Sequence, residues 1–148
     1  MAEILFYHLE GQPLERVMPV LLEKTLERGW RAVVETASRE RAEALDALLW
    51  TYRDESFLPH GLAGGPFDAD QPVLIMAGED NPNGAAVRFF VDRAVPQSGE
   101  GYQRIVYMFS GHDPDAVAEA REAWKRLRSG NEVTYWQQDG NGRWAKKG

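Results

Sequence analysis

"EILFYHL" (3–9) is followed by "GQPLERVMPVLLEKTLERG" (11–29) and then by "WRAVVET" (30–36). The first and third stretches are short apolar runs, the mark of buried strands. The second places Leu14, Val17, Leu21, Leu22 and Leu26 at helical spacing, with Pro13 suited to the first turn and Gly29 to the exit. Pro19 interrupts that pattern and predicts a kink. A strand, a helix and a strand in this order predict a parallel sheet with helices packed on it.

The same order continues outward. Ser38 caps a helix predicted over 39–52, with Ala42, Leu45, Leu48, Leu49 and Tyr52 as its apolar stripe. "PVLIMAG" (72–78), "AVRFFVDR" (86–93) and "YQRIVYMFS" (102–110) read as further strands. "DPDAVAEAREAWKRLRSG" (113–130) reads as the last helix, opened by Asp113 and Pro114 and closed by Gly130. "EVTYWQQ" (132–138) alternates as a strand does. The expectation is one three-layer α-β-α domain over residues 1–148, with a mostly parallel sheet. The basic tail 143–148 has the composition of an unordered terminus.

Composition narrows the function. The 148 residues are 43% hydrophobic and 27% charged, as in ordinary globular proteins. No apolar run reaches the roughly 20 residues of a membrane span. "MAEILFYHLEG" lacks the basic start of a secretory signal, so the expected location is cytoplasmic. With no cysteine there is no disulfide, thiolate metal site or cysteine nucleophile. Residues 121–148 hold seven bases and three acids, net +4, whereas residues 1–120 hold ten bases and twenty acids, net −10. Such an acidic body repels a nucleic-acid backbone, and direct nucleic-acid binding is not expected.

Catalytic motifs are weak. The turn after the first strand has one glycine, and neither G-x-G-x-x-G nor G-x-x-x-x-G-K-[ST] occurs, so the plan is mononucleotide-binding-like without a nucleotide loop. His8, His60 and His112 lie in separate segments without metal-ligand spacing. Neither cofactor nor metal is expected. Glu55, Ser56 and His60 include the residue types of a hydrolase triad and form the alternative, enzymatic reading. Sequence neighbours seldom line up in series, and G-x-S-x-G is absent.

The last helix carries a different pattern. Ala116, Ala120, Trp124 and Leu127 form a core-facing stripe. Val117, Arg121, Lys125 and Arg128 run one position on, as a largely basic ridge beside it, while Arg126 points elsewhere. An apolar floor with a cationic edge suits an acidic peptide ending in hydrophobic residues and a carboxylate. A solvated face that places cations near a helix C-terminus reads equally well from the pattern alone.

The residues "ESFLPHGLAG" (55–64), "LDALLW" (45–50), "FYHL" (6–9), "AREAWKR" (120–126) and Trp144 resemble the chi subunit family of bacterial DNA polymerase III. The likeness runs in order along the whole chain and is thinnest over 78–103. It implies an α/β domain without catalytic activity that bridges two partners. One is the acidic C-terminal tail of single-stranded DNA-binding protein. The resemblance places that tail on Arg121 and Lys125, with Arg128 and Trp124 beside them and Val117 where the family can carry another base. The other partner is the psi subunit of the clamp loader, or a helicase using the same surface, through Trp50, Phe57 and Pro59.

Overall fold

The computed structural model describes residues 2–51, 59–98 and 100–147. The elements are β1 (Glu3–Leu9), α1 (Leu14–Glu27), β2 (Ala32–Thr36), α2 (Arg39–Thr51), β3 (Gly61–Leu62), a 3₁₀ turn (Asp68–Asp70), β4 (Val73–Ala77), β5 (Val87–Phe90), β6 (Arg104–Ser110), α3 (Pro114–Leu127), β7 (Glu132–Gln138) and β8 (Trp144–Lys146). The strands form one sheet in the order β3-β4-β2-β5-β6-β1-β7-β8. Every neighbouring pair is parallel except β7 with β8. The α/β class and the mostly parallel sheet expected from the sequence are both present.

Alternation along each central strand feeds two cores. Val34, Val73, Ile75, Phe89, Val106 and Met108 face α1 and α2. Ile4, Phe6, Ile105, Tyr107 and Phe109 face α3. Among the described residues, no helix packs on the face of β2 and β4 opposite α2. Val33, Leu74 and Met76 pack there with Ala85 from the loop before β5. Arg88, 2% exposed, secures that loop. Its guanidinium pairs with Glu35 at 2.7 Å and donates to Asp80 O, Gly78 O and the Tyr102 hydroxyl. Burial raises the Glu35 carboxyl above its ordinary range, against the opposing pull of Arg88.

Three sequence expectations change in detail. Pro13 caps α1 from outside, and Leu14 is its first residue. In α3 the residue buried between Ala120 and Leu127 is Ala123, not Trp124, which is half-buried on the flank. Aromatic and large aliphatic side chains already rise from the sheet beneath α3, so only small residues fit at the closest approach. The third is β8, which takes up Trp144–Lys146 and seats Trp144 edge-on against Tyr7, with ring centres 5.2 Å apart.

The path of the chain creates a crevice. β1 and β6 are neighbours, yet β1 leads through α1 to β2 on one side and β6 leads through α3 to β7 on the other. Their carboxyl ends therefore part at a topological switch point, the usual ligand position in open α/β sheets.

Candidate functional site

The Asp113 carboxylate caps α3, accepting from the amides of Asp115 and Ala116 at 3.0 and 3.3 Å. Beneath the helix lies a row of rings in register across three strands: Tyr107, Phe6 and Tyr135. Phe6 meets Tyr107 at 5.2 Å and stacks on Tyr135 at 5.9 Å. Trp124 sits edge-on to both Phe6 and Tyr135, at 5.5 and 5.7 Å. Val117, Trp124, Val133 and Tyr135 thus form a half-buried apolar floor along one flank of α3.

Cations border that floor. Arg121 is exposed and close enough to Tyr135 and His8 to bias the titration of both. Among the described residues, no carboxylate lies within 4 Å of Arg121 or Arg128. Lys125 is 3.7 Å from Glu122, with both side chains well exposed, so that pair constrains little. Arg126 turns away and donates to Pro96 O at 2.6 Å. Besides Val117, Arg121 and Trp124, the flank includes Val133, Tyr135 and His8, none of which the sequence marks as a binding residue. The alternation of "EVTYWQQ" is the one signal available for the first two, because it puts Val133, Tyr135 and Gln137 on one face.

His8 connects this floor to the end of β1. Its Nδ1 shares a hydrogen bond with the Tyr135 hydroxyl at 2.7 Å. Its Nε2 lies 3.0 Å from Glu10 Oε1, too poorly aligned for a hydrogen bond. Burial lowers the His8 pKa, the Glu10 carboxylate opposes that shift, and Arg121 and His112 add to it. His112 Nε2 donates to Glu10 O at 2.8 Å, which ties the start of α3 to the loop after β1.

That loop is where a fold of this kind would cradle a phosphate. Here the amides of Glu10, Gly11 and Gln12 converge on one oxygen, Gln138 Oε1, at 3.3, 3.0 and 2.9 Å. Gln138 is fully buried, and its Nε2 donates to Gln12 Oε1 and Gly142 O. A Cβ on Gly11 would fall 2.5 Å from Asp139 O, so the loop and the β7–β8 hairpin need glycine there to close. The carboxamide fills the concavity that consecutive N–H groups otherwise offer to an anion.

Beside the filled loop the switch point leaves a cavity of about 480 Å³. Leu9, Leu14, Met108 and Phe109 contribute apolar surface to it. Glu10, Glu15, Asp92, Asp113, Glu119 and Arg93 give it an acidic rim. Asp92 and Arg93 both have positive φ, 48° and 77°, an uncommon conformation for residues with a side chain.

The remaining sequence candidates lie elsewhere. Glu55, Ser56 and Phe57 are outside the described residues. His60 is buried, with Nε2 3.3 Å from both Asp46 O and Asp46 Oδ1, and its ring lies 4.5 Å from that of Trp50. It therefore ties the segment after α2 back to that helix. Trp50 is 55% exposed, and Pro59 is half-buried. Among the described residues, no group of three or more His, Asp or Glu could hold a metal ion. No described helix is long and apolar enough to cross a membrane.

The fold is thus an α/β sheet of mononucleotide-binding type whose phosphate position is filled from within, with a basic and aromatic flank on its last helix. The chain is a member of the DNA polymerase III chi subunit family: the model described as "DNA polymerase III chi subunit, HolC" matches residues 1–134. A probable DNA polymerase III subunit chi from Rickettsia prowazekii is 32% identical over 87 residues, 59% of this chain and 53% of that protein. The DNA polymerase III subunit chi of Pseudomonas aeruginosa is 36% identical over 63 residues, 43% of either chain. The matched region thus spans about half the length of these relatives.

Proposed function

We propose that the chain is a non-catalytic accessory subunit of the DNA polymerase III clamp loader. In this reading it binds the acidic C-terminal tail of single-stranded DNA-binding protein and links it to the holoenzyme, through psi where psi is present. The supporting observation is the exposed Arg121, without an ion-pair partner among the described residues, beside the floor of Trp124 and Tyr135. A hydrophobic tail residue would lie on the rings while Arg121 holds the terminal carboxylate, with Lys125 and Arg128 adding longer-range attraction. The rest of the protein is acidic, so attraction to an acidic tail is local to this flank. The exposed Trp50, with Pro59 nearby in sequence and with Phe57, is the proposed contact with psi or a helicase. The location expected of such a subunit is the cytoplasm.

The test is capture from lysate. Immobilised protein should retain full-length single-stranded DNA-binding protein and lose it when the last few residues of that protein are deleted. Equal retention of the truncated form would contradict the tail reading.

A further inference from the structure

We infer that the Tyr135 hydroxyl is a second anchor for the tail's terminal carboxylate, beside Arg121, and that His8 controls it, so that tail binding takes up a proton at His8. The assignment rests on the tail reading proposed above. It starts from an unmet polar group. The His8 side chain is nine-tenths buried, and its Nε2 has no hydrogen-bond partner among the described residues. A Cβ on Gly111 would strike the ring at that nitrogen, so the glycine is what lets the imidazole sit there. On the other side, Nδ1 and the Tyr135 hydroxyl oxygen share one hydrogen across 2.7 Å. Nε2 lies 3.0 Å from Glu10 Oε1, and a lone pair there would face the carboxylate charge. Neutral His8 therefore carries its hydrogen on Nε2. Nδ1 then accepts, and the Tyr135 hydroxyl hydrogen points inward, where no ligand can use it.

Protonation reverses that bond. In the imidazolium both nitrogens donate, so Nδ1–H goes to the Tyr135 oxygen and the hydroxyl hydrogen turns outward. A carboxylate held by Arg121 meets it there. The groups around His8 link the proton to the ligand. Burial disfavours the imidazolium, and Arg121 from α3 and His112 from the turn before it add to that. Glu10, from the loop after β1, favours it. Tyr135 on β7 and the uncharged ring of Phe109 on β6 complete the surroundings. A carboxylate on Arg121 neutralises a cation that opposes the His8 charge, so the bound tail raises the His8 pKa. By reciprocity, protonated His8 holds the tail more tightly. The gain is full below the free-state value, itself below 6.5, and is lost as pH rises through the bound-state value. The tail's own acids stay ionised above about pH 5, and their protonation would act in the opposite direction.

The full chain is titrated calorimetrically with acetyl-aspartyl-aspartyl-leucyl-phenylalanine, at constant ionic strength from about pH 5.5 to 8. Affinity should rise toward the acid end by about fivefold or more, the lower end of typical coupling between sites. The heats should vary with the ionisation enthalpy of the buffer, as proton uptake requires. NMR should place the His8 midpoint higher in the saturated complex than in the free chain. Tyr135→Phe, which keeps the stacked ring, and His8→Asn should each bind with an affinity that is flat across the same range. His8→Asn retains Glu10 and His112, so a pH dependence that survives in the folded variant belongs to them and overturns the inference. An unmoved His8 midpoint overturns it too, as does binding that Arg121→Ala abolishes but that is equal at both ends of the range. These results leave the tail reading standing, whereas absence of binding at every pH would remove that reading and the inference together.

Discussion

Arg88 shows how much one side chain can hold. Its cation is buried on the sheet face opposite α2, and it gathers Glu35, two loop carbonyls and the Tyr102 hydroxyl. Removing it leaves the Glu35 charge and two carbonyls without their donor, a loss that typically costs about 3–5 kcal/mol. Arg88→Met should lower urea stability on that scale, and a loss below about 1 kcal/mol would contradict this anchoring role. His8 makes a pH prediction. Its folded pKa lies below the ordinary 6.5, so the neutral form is favoured in the folded state. Its contribution to stability is complete above pH 6.5 and is lost as pH falls from there through the folded value. An NMR titration of the imidazole should give a midpoint below 6.5, and His8→Asn should flatten the fall in melting temperature below that pH.

Helix α3 works through the contrast between its small buried residues and the rings beneath. Ala116, Ala120 and Ala123 sit over Phe6, Tyr107 and Phe109. Ala120→Leu should destabilise by about 1–3 kcal/mol, the scale of overpacking, measured by thermal unfolding. The same contrast separates what is legible in the sequence from what is not. Helical spacing alone gives a stripe through 116, 120, 124 and 127, and hydrophobicity favours Trp124 over Ala123. Only the bulk on the facing strands reverses that choice, and bulk across elements is not written in local periodicity. Long strands such as β1 and β6 are legible from their apolar runs. β3 has two residues and no pattern of its own. The role of Gln138 is hidden as well, because its partners lie 126 to 128 residues away. Gln138→Ala strands three amides and should cost about 2 kcal/mol or more, with Glu10–Gln12 losing hydrogen-exchange protection first.

Across the whole molecule, topology and charge set the two ends of α3 apart. The crossing of connections at β1 and β6 opens the crevice near the helix start, among Asp113 and Glu119. The cations Arg121, Lys125 and Arg128 follow toward the helix end, beside the ring cluster. The class of fold is readable from element order. The strand order is not, since β1 and β2 are separated in the sheet by β6 and β5 and nothing local records that jump. The central claim is that Arg121 receives an acidic tail. Calorimetric titration of a synthetic acidic tail peptide measures it directly, comparing the native chain with Arg121→Ala and with Arg126→Ala. Arg121→Ala should weaken binding by roughly 1.5–3 kcal/mol, the scale of a hydrogen bond to a charged group. Arg126→Ala, whose side chain turns toward Pro96, should leave the affinity as it was, and added salt should weaken binding to the native chain. Undiminished affinity in Arg121→Ala would contradict the claim.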